Sequence, residues 1–344
     1  STNRLNDLAV PLFSKDEYLN NGLYEKYKFK CNKCNMEFFD CLEDGDMPRC
    51  PTCFKGKSFF EKEVLDYVKS VLPEGTDVIE NDKTILNGKE LDIYIPSRKF
   101  AIECNGLYWH GEVGGNKNKR YHIDKLTECE SSGIRLFHIL EDEWETKKEI
   151  VQSKIDRLLM VGDIQKIYAR KCKIREITSS EKRIFLSSNH IQGNDNSGIC
   201  LGLWLTGKLV AVMTFSTKRA FINYKNRDSK GEYELSRYAA LKDCSVIGGA
   251  GKLMSHFIKN YNPSKIISYA DRRWSNGNLY EKLGFKKMNA GTPNYWYFGK
   301  GNDYKRLHRF GFAKHTLEKK LANFDSTLTE WENMQNHGWD RIWD

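Results

Sequence analysis

Four residues in one short stretch, "ELDIYIPSRKFAIECNGLYWHGE" at positions 90–112, have the types and spacing to do chemistry: Asp92, Glu103, Asn105 and His110. They sit in or beside two strand-like runs, where polar groups are normally excluded unless they are paired or bind something. Two carboxylates can hold a divalent cation beside a scissile phosphate, and an imidazole can take the proton of an attacking water. A hard cation, Mg²⁺ or Mn²⁺, suits carboxylate oxygens better than zinc does. Asp92 and Glu103 are the candidates to hold that cation. Residues 92 and 103 are symmetrical about the turn at Pro96, so antiparallel pairing brings both to one sheet face. The structural alternative is a pair of solvated strand carboxylates and a Trp-His pair that caps a core.

A second group is built from sulfur. Cys31-x2-Cys34 and Cys50-x2-Cys53 stand fifteen residues apart, the spacing of a four-thiolate structural zinc site. Each pair fits a tight turn, and two such turns complete a tetrahedron with no open position for catalysis. The remaining six of the ten cysteines are scattered singly, which points to reduced thiols and one metal site rather than a disulfide framework.

The elements that must position these groups can be read from periodicity. Residues 29–57 form the cysteine module, and 1–28 are a polar segment with no assigned role. "SFFEKEVLDYVKSVL" has apolar residues at 60, 64, 65, 68, 71 and 72, a helical stripe with Ser58 as N-cap. Three strand-like runs follow, "TDVIEN", "ELDIYI" and "FAIECNGLYW", with Asn87-Gly88 and Pro96-Ser97 as turns. Then come a polar helix, "NKRYHIDKLTECESSG", the strand "IRLFHIL" and a charged helix from about residue 143 to 160. This order makes a mixed sheet flanked by helices over 58–162. Glu61 or Glu63 from the first helix and Asp124 from the polar helix can approach the carboxylates from the side.

The block "LDIYIPSRKFAIECNGLYWHGE", continued by "YHIDKL" and "SSGIRLFHILEDEW", resembles the nuclease core of very-short-patch-repair endonucleases and the related EDxHD homing endonucleases of phages, within the PD-(D/E)XK superfamily. The resemblance implies catalytic roles for Asp92, His110 and Asp124, with Glu61 (or Glu63) as the helical acid. Ala101-Ile102, Gly106 and Trp109-His110 match the block that ends in a functional histidine. One departure stands out: Asn105 occupies the place of the superfamily's lysine, which moves the proton-transfer role to His110 and leaves Glu103 either a cation ligand beside Asp92 or a partner that orients one.

Residues 163–315 read as a second α/β unit, with a hairpin about Thr206-Gly207. "SVIGGAGKLMSHFIKNY" and "ISYADRRWSNGNLYEKLGF" resemble the signature segments of GNAT acyltransferases, and the latter also those of Mom-type DNA-modifying members. The loop of Gly248, Gly249, Gly251 and Lys252 would then hold a pyrophosphate. Read instead as a DNA-contacting loop, "ADRRWSNGN" offers Arg272 and Arg273 to phosphates and Trp274 for stacking. Lys305, Arg306, Arg309 and Lys314 extend a basic strip interleaved with aromatics. A solvated helix face is the alternative there. Residues 316–344 read as a helical tail appended to this unit.

The chain of 344 residues carries a formal charge of +9, with 40% hydrophobic and 29% charged residues. That composition is globular, and the charge makes a polyanion the natural partner. No run of about eighteen apolar residues and no secretory pattern is present, so an intracellular location is expected, the host cytoplasm if the chain is phage-encoded. The expectation is thus an α/β multidomain protein: a four-cysteine zinc ribbon, a PD-(D/E)XK-like nuclease core with a mixed sheet and a GNAT-like domain, acting on double-stranded DNA as a monomer or homodimer. A Mom-like base-modifying acyltransferase with a degenerate nuclease is the alternative, and a DNA-binding protein without catalysis a third.

Overall fold

The computed structural model of the protein describes residues 9–21, 25–42, 48, 50, 59–162, 164–217, 231–288, 291–299 and 305–344. The chain divides into two compact units, Ser1–Glu63 and Val64–Asp344. The division falls inside helix α2 (Phe59–Val71), which buries Phe60, Val64, Leu65 and Val68 at helical spacing.

In the first unit, strands β1 (Ala9–Pro11), β2 (Tyr27–Cys31) and β3 (Glu37–Asp40) form an antiparallel sheet, with α1 (Lys15–Asn21) between the first two. Alternation along β2 turns Tyr27, Phe29 and Cys31 inward, against Ala9, Phe38 and Cys50. Phe13 adds an aromatic lid, its ring 4.3 Å from that of Tyr27 and 5.3 Å from that of Phe29. The boundary expected at 28/29 therefore separates nothing, because Ala9 pairs with Cys31 and Val10 with Lys30. The polar segment supplies an edge strand and core residues to the cysteine module. The N-cap expected at Ser58 lies outside the described residues.

The second unit begins with the sheet β4 (Ile79–Leu86), β5 (Lys89–Ile95), β6 (Phe100–Asn105) and β7 (Arg135–Leu140), in that order. Its first two pairings are antiparallel and the last is parallel. Asn87 and Gly88 adopt φ of 49° and 93°, which a two-residue hairpin turn of the primed type requires. A parallel pair needs a crossover, and α3 (Tyr121–Ser131) provides it between β6 and β7. Helix α4 (Glu141–Leu159) starts directly at the end of β7.

A second sheet follows within the same unit. Strands β8 (Gln165–Tyr168) and β13 (Cys244–Ile247) form a parallel pair beside a five-stranded sheet ordered β14-β12-β11-β10-β9. Those strands are β9 (Lys173–Glu176), β10 (Ile199–Leu205), β11 (Lys208–Ser216), β12 (Glu232–Ala240) and β14 (Lys265–Ile267). Helix α5 (Ser179–Asn189) opens on a capping box of Thr178 and Glu181. Helix α6 (Gly249–Tyr261) lays Phe257 flat on Phe215, ring centroids 3.5 Å apart. Short helix α7 (Asn278–Lys282) packs Leu279 and Tyr280 on the core of the second sheet, and α8 (Lys314–Leu317) and α9 (Glu330–Asn336) lie between the strands of a third sheet. That sheet is ordered β16-β15-β17, from β15 (Tyr295–Gly299), β16 (Leu307–His308) and β17 (Trp339–Trp343).

Residues 316–344 are thus not an appended helical tail. Strand β17 pairs with β15 from Tyr295↔Trp343 to Gly299↔Trp339, and Ile342 enters a buried cluster with Leu107, Leu140 and Phe298. The apolar positions Trp339, Ile342 and Trp343 do not alternate cleanly, which hid a strand whose two faces are both covered. Among the described residues no helix is long and apolar enough to cross a membrane.

Candidate functional site

Alternation along β5 sends Leu91, Ile93 and Ile95 to one face and Asp92 and Tyr94 to the other. Ile93 pairs with Ile102 and Tyr94 with Ala101. Asp92 and Glu103 are the next positions along, so they share the face that carries Tyr94 and Ala101. Helix α3 covers this face, packing Leu126 and Cys129 against Ala101 and Leu136. Lys125, beside Leu126, makes an ion pair with Glu103, and the two are 5% and 0% exposed.

The electrostatics of this group are set by burial. The Asp92 Oδ2 atom accepts the Cys104 amide at 2.7 Å, yet desolvation drives its carboxyl up to about 6, against the pull of Lys125 and that amide. The same desolvation lowers Lys125, with Asp92 acting to raise it. Two carboxylates thus face a single lysine. The two carboxylates and the lysine form one group under helix α3. Asn105 does not join it: its Nδ2 atom lies 3.3 Å from both His138 Nδ1 and the Ile139 carbonyl, so it tethers β6 to β7.

Three imidazoles adjoin the carboxylates. His138 stands opposite Glu103 on β7, and His110 follows the end of β6. His122 of α3 links them, its ring stacked 5.2 Å from His110 and edge-on 5.4 Å from His138. His110 Nδ1, both His122 nitrogens and His138 Nε2 are enclosed without a hydrogen-bond partner, although His110 and His122 each keep an edge at the surface. Buried polar atoms are nearly always satisfied, so four in adjoining rings set this cluster apart. Desolvation holds His110 and His138 well below the usual imidazole range, helped by neighbouring positive groups, and brings His122 down to about 4. The same burial biases all three rings to the neutral form at pH 7 and opposes their protonation.

Lys125, His122 and His138 were not singled out from sequence. A signal existed: His122, Lys125, Leu126 and Cys129 follow the i, i+3, i+4, i+7 spacing of a buried helix stripe. Two polar residues in such a stripe ask for polar partners beneath. Asp124, by contrast, sits on the flank of α3 and pairs with Arg120 at 2.8 Å, its side chain 44% exposed. Glu61 and Glu63 are half-buried on the part of α2 that belongs to the first unit.

The expected DNA contacts fall into two sets. Arg273 is enclosed, with its fork on Glu143 (3.1 and 3.2 Å), Asp271 (3.0 Å) and Asp344 (2.6 Å). Burial opposes its charge, but these three carboxylates outweigh it and hold its pKa well above the usual value. Arg306 likewise binds Asp142 and Glu143, both at 2.8 Å. Trp274 is buried edge-on against Phe137 at 5.1 Å. In this arrangement Arg273 and Arg306 tie the loop after β14 and the segment before β16 to α4, Trp274 packs on β7, and none of the three offers itself to a nucleic acid backbone. The reason is the acidic start of α4, Glu141-Asp142-Glu143, which competes for the guanidinium groups. Arg272 pairs at the surface with Glu130, and Lys314 donates to the Ser326 carbonyl. Arg309 stacks over Tyr295 at 5.1 Å, and Lys305 is exposed.

The glycine-rich loop has internal partners as well. Lys252 donates to the Ala169 and Cys172 carbonyls at 2.9 and 2.5 Å. A Cβ on Gly249 would come within 2.9 Å of the Tyr238 hydroxyl, so packing alone demands that glycine.

In the first unit the sulfurs of Cys31, Cys34 and Cys50 lie within 4.8 Å of one another, a group able to hold a metal such as zinc. Among the described residues no other trio of His, Cys, Asp or Glu comes as close; Cys53 lies outside them. Burial pushes the Cys31 thiol up, but the Cys34 and Lys33 amides and the neighbouring sulfurs outweigh it and bring it to about 7.

No family model matches the chain, and no curated protein does. Among solved structures it is similar to a putative acetyltransferase from Deinococcus radiodurans R1, with 11% identity over 36% of this chain and 87% of that one. The TM-score is 0.26, and an overlap that low carries no argument about fold or activity.

Proposed function

We propose that this protein is a divalent-metal-dependent DNA endonuclease of homing type that hydrolyses a phosphodiester bond. The observation that carries this reading is the carboxylate pair: Asp92 and Glu103 share one face of adjacent strands, beneath Lys125 of α3 and next to the neutral His110–His122–His138 cluster. The strand order β4-β5-β6-β7, with a helical crossover before a parallel last strand, is the order expected of a PD-(D/E)XK-like core and supports it.

Asp92 and Glu103 would hold Mg²⁺ or Mn²⁺, whose chemistry at this place is to offset phosphate charge and acidify a water. Lys125 meanwhile keeps Glu103 from being an unpaired buried charge. His110, neutral at pH 7 through burial, accepts the proton of the attacking water. His122 stacks on its ring and Tyr121 packs edge-on against it, and together they limit its exposure to bulk water. Asp124, paired with Arg120 at the helix flank, takes no part in this scheme. One such centre per chain makes a nick, and two chains would make a double-strand break.

The cysteine group would be completed by Cys53 as a four-thiolate zinc ribbon that stabilises the first unit. The second sheet would be GNAT-like, with a role in positioning DNA rather than in acyl transfer, in keeping with the internal partners of Lys252 and Gly249.

Supercoiled plasmid and phage DNA incubated with the protein and Mg²⁺ or Mn²⁺ tests the reading. Nicked or linear product is expected from the parent chain and not from Asp92→Asn or His110→Ala. Absence of cleavage with every DNA and both cations would overturn it.

A further inference from the structure

We propose that strand β17 is a strap that positions His110, with Asp340 as its principal positioning residue. The inference rests on the endonuclease reading, since it concerns how that reading's proton acceptor is held.

His110 lies in the segment 106–117 between β6 and α3, which has no strand or helix of its own to hold it. Its N-terminal side is anchored where β7 runs into α4: the Leu107 amide donates to Glu141 Oε2 at 3.1 Å, and the Leu107 side chain is buried with Leu140 of β7 and with Ile342. Its C-terminal side is anchored from strand β17. The Asp340 carboxylate accepts the Val113 amide at 3.0 Å and the Gly114 amide at 2.9 Å, across a separation of more than two hundred residues. Successive amides converging on one carboxylate form an anion-holding nest. Glu112 donates its amide to the Arg341 carbonyl at 2.9 Å, and its carboxylate receives both forks of Arg341, at 2.6 and 2.9 Å. The Trp343 indole donates to the same carboxylate at 2.6 Å, and Gly111 bridges Ile342.

The glycines of the segment fit this clasp. A Cβ on Gly111 would meet the Asp340 carboxylate and come within 2.8 Å of Phe298, and one on Gly115 would meet the Trp109 carbonyl. At Gly111 the backbone therefore passes closer to β17 than a side chain would permit, while Gly115 lets the segment fold back on its own Trp109. The strap's hydrogen bonds go to residues that flank His110 rather than to its ring. Strap residues thus act through geometry, and displacement of a reacting group by about 1 Å can cost on the order of a hundredfold in rate.

The test compares Asp340→Ala and Asp340→Asn with the parent, measuring the steady-state kcat and KM of DNA nicking and the hydrogen exchange of amides 111–115. Asparagine retains one carbonyl oxygen for the nest and guards against an alanine variant that fails to fold. Expected are faster exchange at Val113 and Gly114 and a fall in kcat of about tenfold or more for alanine, with KM for DNA unchanged and partial recovery by asparagine. Parent cleavage with an unaltered kcat in Asp340→Ala would overturn the positioning role alone. So would a fall in kcat matched by loss of folded protein in both variants. No cleavage by the parent chain would overturn the endonuclease reading and the positioning role together.

Discussion

The cysteine group of the first unit and the carboxylate–histidine group of the second solve opposite electrostatic problems. At Cys31, backbone amides and neighbouring sulfurs outweigh burial and favour the thiolate, so the site leans toward its charged form. At Asp92 burial outweighs the pull of Lys125, and at the three histidines burial acts together with neighbouring positive groups, so each is shifted toward its neutral form. The amide-rich turn prepares a ligand by local hydrogen bonds. The sheet-and-helix sandwich withholds water, keeps its groups weakly charged, and relies on one lysine for balance. A small turn can do the first; only a packed core can do the second.

The contrast can be pushed hardest at the cysteine group, by denying it the metal that it is able to hold. Structural zinc contributes on the order of 10 kcal/mol or more to small metallodomains, so a chelator or Cys31→Ser should abolish hydrogen-exchange protection over Tyr27–Asp40. Strands β4 to β7 should keep theirs, and protection lost equally in both units would erase the distinction drawn here. The next largest effect belongs to Lys125→Ala, which leaves Glu103 buried without its counter-charge. Loss of one partner of such a pair costs about 3–5 kcal/mol, and chemical denaturation should show that the added change Glu103→Gln restores much of it.

His110→Ala should lower nicking by roughly a hundredfold or more while the unfolding midpoint moves little, as expected for a proton-transfer group. A smaller effect follows from pH. His122 is held at about 4 in the fold against about 6.5 unfolded. Its neutral ring therefore contributes stability that is complete above pH 6.5 and is lost as pH falls from there through 4. Thermal unfolding at pH 7.5 and pH 5 should show a smaller loss for His122→Gln than for the parent. The smallest effect is predicted for the Arg120–Asp124 pair: an exposed i,i+4 pair is worth about 0.3–0.5 kcal/mol, and Asp124→Ala should leave both midpoint and nicking nearly unchanged. A large loss of nicking would return Asp124 to the chemistry.

The order of elements in the first half of the second unit was legible because its signals are local. Asn87-Gly88 demands a hairpin, Pro96 a turn, and the spacing of 92 and 103 about that turn follows from strand alternation alone. The cysteine spacing was legible for the same reason. Arg273, Arg306 and Trp274 read as nucleic-acid contacts because a sequence shows charge and aromaticity but not what faces them. Glu143, Asp142 and Phe137, more than a hundred residues earlier, took those places. Lys125 and His122 were hidden inside a helix whose polar face looked solvated until β6 and β7 lay beneath it.

By itself, then, the sequence determined the groups whose partners lie within a turn or a strand pair: the thiols, the two carboxylates on one face, and the imidazole at the strand's end. The tertiary structure decided which charges were neutralised, which rings met His110, and that a strand near residue 340 holds the segment at 111–114. The physical reason is range. Turn and alternation rules act over a few residues of backbone, whereas burial and ion pairing depend on which distant surfaces come to cover a residue, and no local spacing encodes that.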